Sequence, residues 1–192
     1  MSLARKFALF AAIAVTANVA TVAALPRLIN AFVLHRMEQL AGGANRALPS
    51  PRADASARAV VRPSPDLLYT VCVFDVSARP LHITAPVQDS YVSVSGFAAD
   101  TDNFFAINDA ELEPGADGVK RFDLVVARAG AADLPAGARV ITAPSDRGLI
   151  LFRSLITRDA DLPRLKHEFQ AHQDCRPLGP RTLGAPAPSP SR

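Results

Sequence analysis

Between Phe7 and Pro26 the chain carries no Asp, Glu, Lys or Arg: FALFAAIAVTANVATVAALP. Arg5 and Lys6 stand before this run and Arg27 follows it. A helix rises about 1.5 Å per residue, so about 20 such residues span a hydrocarbon core roughly 30 Å thick. Whatever follows therefore sits at a membrane or beyond one. An uncleaved anchor and a secretory signal peptide both begin this way, and Val22-Ala23-Ala24 has the small residues of a cleavage site. A buried core helix is a third reading. The run is long for a signal peptide. Beyond Pro26 the sequence continues RLINAFVLHRMEQL, where Leu28, Ile29, Phe32, Val33, Arg36 and Leu40 recur at three- and four-residue steps. That spacing predicts a helix with one apolar face, kinked or restarted at Pro26.

Residues 1–41 are thus read as an anchor helix with an amphipathic extension, its residues 7–26 crossing the lipid bilayer. Arg5, Lys6 and the N-terminal amine favour a cytoplasmic N-terminus, against Arg27, Arg36, Arg46 and Arg52 on the other side. The first span usually dominates. The expected location is a bacterial inner membrane crossed once, with the residues after about 35 in the periplasm; cleavage would instead give a secreted protein.

The chain has 192 residues, with Pro 16, Cys 2 and no Trp. Without the anchor and tail about 115 residues remain, enough for one domain with one core. Basic charge is almost all arginine, and with abundant alanine this reads as a high-GC bacterial composition. The net charge is +3 and the arginines are spread singly, so no nucleic-acid partner is expected. Cys72 and Cys175 have either of two fates in an exported domain: a disulfide, or a core thiol in a strand and an unpaired thiol beside the tail. C-x-x-C spacing is absent.

Residues 42–59 are rich in Gly, Pro, Ala and Arg without periodicity, and read as a linker. Residues 60–175 read as the domain, and 176–192 as a disordered Pro-rich tail. Within the domain, strands are predicted at Leu67–Val76, Leu81–Thr84, Tyr91–Phe97, Phe104–Ile107, Arg121–Ala127, Arg139–Thr142 and Gly148–Leu155, the last apolar enough to be central in a sheet, with a helix as the alternative. The turn Ser77-Ala78-Arg79-Pro80 predicts a hairpin between the first two. In Tyr91–Phe97, Tyr91, Ser93, Ser95 and Phe97 face one way and Val92 and Val94 the other. Turn signals every 8 to 15 residues favour an antiparallel β-sandwich or jelly-roll-like domain. One helix is predicted near the C-terminus: Asp159 and Asp161 open it, Pro163 suits its first turn, and Leu162, Leu165 and Phe169 form its apolar face.

Three segments resemble the bacterial family of the domain of unknown function 1254. They are PDLLY followed by VCVFDVSARPLHITAP, then SYVSVSGFAADTDNFFAIND, then LPAGARVITAPSDRGLILFRSLITRDADLPRLKHEFQ. The resemblance spans residues 60–173 and rests on the order of all three. It implies a β-sandwich-like fold and brings no catalytic residues to carry over. Longer relatives carry a second domain, of unknown function 1214; this chain is expected to lack it, and a separate protein in trans is expected to supply it. Pro63 or Ser64 stands where the family usually has an Asn, which puts any site built on that Asn in doubt.

No P-loop, dinucleotide fingerprint or nucleophile elbow occurs. Asp66 and Tyr69 are candidates for a pocket rim, against a turn cap and a locally satisfied phenol. Arg153 lies inside the apolar run LILFRSL, where an arginine is usually paired; Asp75 is the expected partner, with anion binding the alternative. From Pro80 to Val119 there is no Lys or Arg, but there are Asp89, Asp100, Asp102, Asp109, Glu111, Glu113 and Asp117. The segment reads as a solvated acidic face, with docking of a basic partner or calcium binding as alternatives. His167 and His172 are five apart and share a helix face poorly. No cofactor and no metal is expected. The favoured reading is an interaction or accessory module, followed by a small-ligand or anion-binding domain with Asp66, Tyr69 and Arg153 at its pocket, then an enzyme of unrecognised type.

Overall fold

A computed structural model describes residues 2–57, 63–115, 117–132, 134–135 and 139–179. Helix α1 runs unbroken from Leu3 to Ala41 and passes Pro26 as one helix rather than restarting there. Pro26 removes one backbone donor, but the chain on either side stays helical. The helix ends where Gly42 takes a left-handed conformation, φ 74°. The N–H of Gly42 donates to the Gln39 carbonyl and that of Gly43 to the Glu38 carbonyl. This double bond pattern is the Schellman motif, and glycine enters it without strain.

Among the described residues nine strands form two sheets. The strands are β1 Ala47–Pro49, β2 Leu67–Asp75, β3 Leu81–Pro86, β4 Val92–Ala98, β5 Asn103–Asn108, β6 Arg121–Ala127, β7 Arg139–Thr142, β8 Arg147–Leu155 and β9 Asp174–Pro177. One sheet has the order β1-β2-β8-β4-β5 and the other β7-β6-β3-β9. All pairs are antiparallel except β6 with β7, which is parallel. The expected hairpin at residues 77–80 does not form. β2 and β3 lie in different sheets, so this turn carries the chain from one sheet to the other. A turn signal gives a change of direction, not the strand that will be the neighbour.

The core lies between the sheets. Cys72, Phe74, Val94, Ile150 and Phe152 come from the first, and Leu81, Ile83, Phe122, Leu124 and Val126 from the second. Strand alternation explains the selection: in β8, Gly148, Ile150, Phe152 and Ser154 are buried and the residues between them are less so. Gly148 marks a close approach. A Cβ built there would overlap the Phe97 carbonyl and the Phe74 ring. The disulfide Cys72–Cys175 joins β2 to β9, one strand from each sheet, with Cα atoms 6.5 Å apart.

Residues 42–57 are not a free linker. Ala47–Pro49 pair with Thr70–Cys72 at the edge of the first sheet, and Ala53 is buried. Three residues are too few for a visible period, and Pro49 is tolerated because the strand is an edge. The C-terminal helix is a composite: 3-10 turns at Asp159–Asp161 and Gln170–His172 flank a short α turn, Leu162–Arg164, and a π turn, Leu165–Phe169. Leu162, Leu165 and Phe169 do pack together, against Leu68 and Ile156. Gln170 Nε2 donates to the carbonyls of Ser50 and Tyr69, tying this segment across β1 and β2. Of the tail, Arg176 and Pro177 belong to β9, and residues 180–192 lie outside the described residues.

Candidate functional site at the junction of helix and sheets

Tyr69 and Arg153 are brought together; Asp66 is not part of their row. β2 and β8 place Tyr69 opposite Arg153, and β4 and β5 continue the row with Ser93 and Asn108. The Tyr69 hydroxyl accepts the Ser64 N–H at 2.9 Å, and the Asp66 N–H donates to the Ser64 hydroxyl at 3.2 Å. The Asp66 carbonyl accepts the Ile156 N–H. Asp66 and Tyr69 therefore fix the start of β2. Ser93 Oγ is buried beside Arg153 and has no hydrogen-bond partner.

The expected pairing of Asp75 with Arg153 is overturned by the register. Antiparallel strands bring the end of β2 to the start of β8, so Asp75 faces Arg147, at 3.8 Å. Arg153 lies six residues further along, about 20 Å away at a strand's rise. Sequence reading chose the arginine by its apolar neighbours and had no means to set the register.

The acidic segment is dispersed into local caps. Asp109 accepts the Val92 N–H, and Asp100 that of Asp102. Asn108 and Glu111 cap a short 3-10 turn reciprocally. Asp117 accepts the Val119 N–H and pairs with Arg121, and these two contacts hold its carboxyl below the ordinary range. A cavity of about 580 Å³ lies among Glu111, Glu113, Asp117, Arg121, Asp123 and Arg139. Among the described residues no group of three or more His, Cys, Asp and Glu is placed to hold a metal.

The more organised constellation lies where α1 meets the sheets. Asn30 Nδ2 donates to the Ala99 carbonyl at 2.8 Å, Leu34 is buried, and Glu38 pairs with Arg147. Arg147 thereby connects Glu38 on the helix to Asp75 on the sheet. Asn45, at φ 58°, continues the attachment. Its backbone N–H donates to the Val73 carbonyl, its side-chain amide to the Asp75 carbonyl, and its Oδ1 accepts the Asp75 N–H. The Asp75 carboxyl is held below its ordinary value, first by the Ser77 hydroxyl, then by the Ser77 N–H and Arg147, with burial opposing.

A cleft of about 410 Å³ opens between the helix and the sheet end, lined by Arg27, Leu34, His35, Ala99, Asp100 and Arg147. Ser145 at its edge is committed: its hydroxyl accepts the Ala99 N–H and donates to the Arg147 carbonyl. The groups gathered here bind and position. Sequence reading missed this junction because Asn30, Glu38, Asn45 and Arg147 are polar residues far apart in the chain, joined only by the fold.

Among the solved structures it resembles are the VPA0106 protein from Vibrio parahaemolyticus, at TM-score 0.59 and 17% identity, and a putative uncharacterized protein from Burkholderia cenocepacia, at TM-score 0.50 and 14% identity. These matches cover 86% and 88% of this chain but only 40% and 44% of those proteins. At such identities the likeness is one of fold. No curated protein matches the chain. The DUF1254 family, described as a protein of unknown function, matches residues 44–177, from just before β1 to the end of β9, and the chain belongs to this family.

Proposed function

We propose that the chain is a membrane-anchored protein whose two sheets form a β-sandwich that serves, outside the cytoplasm, as an interaction or accessory module. One observation carries the reading. The first half of α1 is apolar and has no protein against it, with Phe7, Phe10, Ile13, Val15, Val19 and Val22 all exposed, yet the same helix is bonded to the domain at Asn30, Leu34 and Glu38. An apolar helix that the protein leaves bare is stable in lipid. The Cys72–Cys175 disulfide supports an oxidising compartment, and Arg5 with Lys6 supports a cytoplasmic N-terminus.

The partner is a separate protein. The outer face of the first sheet, where Tyr69, Arg153, Leu151 and Leu149 are half-buried, is the surface offered to it. Purification of the tagged full-length protein from its native membrane, with mass spectrometry of what accompanies it, tests this. A stoichiometric partner lost on Leu151→Asp supports the reading, and a solitary protein refutes it.

The unpartnered Ser93 Oγ beside Arg153 favours a second reading, an anion-binding site on the same face. Thermal shift with phosphate, sulfate and small carboxylates tests it. Ligand at 100 times its dissociation constant stabilises by about 2.7 kcal/mol, and no response to any of them removes the reading.

A further inference from the structure

The apolar stripe of α1 and the face by which α1 holds the domain are different faces. After Pro26 the buried or half-buried positions are Asn30, Val33, Leu34, Met37, Glu38 and Ala41, again at three- and four-residue steps. At about 100° per residue, Leu25, Leu28, Ile29 and Phe32 fall on the opposite side and Leu40 on its flank. They are exposed at 50, 66, 55, 68 and 66%. This stripe continues the uncharged run on one unbroken helix. On the domain side the uncharged surface stops at Arg27, whose guanidinium turns back to the Ala23 carbonyl at 2.7 Å.

We infer that the stripe rests on lipid: α1 crosses the bilayer obliquely, and its turns from Leu25 to Phe32 pass through the membrane interface with the domain mounted on their upper side. This rests on the anchor reading above. From Phe7 to Phe32 the helix is about 39 Å long, against a hydrocarbon core of roughly 30 Å. A tilt of roughly 40° accommodates the difference. A tilted helix keeps one side in apolar surroundings after its axis has emerged, while its other side is already in water. Phe32 and Arg27 show that asymmetry, with the apolar side extending further than the polar one. Arg36 lies on the lipid-facing side between Phe32 and Leu40, where its stem covers apolar surface and its guanidinium reaches the phosphates. The large Leu, Ile and Phe side chains suit lipid better than a second helix, since close helix crossings in membranes use small residues.

The chain has no tryptophan, so Phe32→Trp introduces a single reporter. The full-length variant is placed in phosphatidylcholine–phosphatidylglycerol vesicles, beside Phe10→Trp in the apolar run and Tyr91→Trp on the exposed surface of the domain. Phe32→Trp is expected to emit to the blue of Tyr91→Trp. It is expected to lose at least half its intensity to lipids brominated near the headgroup and little to aqueous iodide. Emission like that of Tyr91→Trp, quenched by iodide, overturns the inference while leaving the anchor intact if Phe10→Trp is quenched by deeply brominated lipid. If no brominated lipid quenches Phe10→Trp, the anchor reading itself fails. Shielding of Phe32→Trp from both quenchers, fading as protein is diluted into lipid, gives the stripe to a second copy and also overturns the inference. Leu28→Trp repeats the measurement should Phe32→Trp not fold.

Discussion

At the scale of single residues, the contacts that matter most join backbones that would otherwise be left apart. Asn45 exchanges two side-chain hydrogen bonds with the main chain of Asp75. Asn45→Ala removes both and leaves polar groups of a half-buried strand end unpaired, so chemical denaturation is expected to show a loss of about 1–3 kcal/mol. Gly148→Ala is expected to cost about as much or more, because the added methyl meets the Phe97 carbonyl and the Phe74 ring rather than a movable chain end. Asp75 sets a pH dependence. Its carboxyl is lowered in the folded state, below the usual 3.8, so its contribution is full above that value and is lost as pH falls through the lower folded one. Denaturation midpoints of the wild type and Asp75→Asn are expected to converge as pH falls below the lowered folded-state value, where the carboxyl is protonated in both states. Little of this was legible in the sequence. Arg147 and Arg153 stand six residues apart on one strand, and only the register chooses which of them faces Asp75.

At the scale of elements, a strand was legible when it was rich in β-branched and aromatic residues. Arg121–Ala127 and Arg139–Thr142 have the bounds read from sequence, and Gly148–Leu155 lies in the middle of its sheet, lacking only Arg147 at its start. β1 and β9 were not legible, since Ala-Leu-Pro and Asp-Cys-Arg-Pro lack the β-branched and aromatic residues that mark a strand. The parallel partner of β6 was not legible either, because pairing direction depends on the path of the loop and not on the strand's own residues. The helix gives a different lesson. Its apolar period marks mainly the side left bare, Val33 excepted, while the side that holds the domain includes Asn30 and Glu38. Leu34→Ala is expected to loosen that attachment, seen as faster proteolysis between Ala41 and Asn45 with the melting of the sheets little changed.

At the scale of the whole molecule, the disulfide closes a long loop between the two sheets, its cysteines 103 positions apart. Crosslinks over about 100 residues are worth up to about 4.7 kcal/mol in the loop-entropy account. Cys72→Ser is therefore expected to lower stability by about 2–5 kcal/mol, read by chemical denaturation. The two-sheet architecture was legible from the spacing of turns, but the candidate junction was not, because it is assembled from residues 27–45, 75, 99–100 and 145–147. The proposed function has one chain holding its domain outside the cytoplasm by a helix it keeps. Protease treatment of spheroplasts, followed by mass spectrometry of the membrane-bound fragments, tests this most directly. Digestion of the domain, with a protected fragment that begins at the N-terminus and includes residues 7–26, is the predicted result. A domain released into the soluble fraction and beginning near Leu25, or one that survives intact inside the spheroplast, would contradict it.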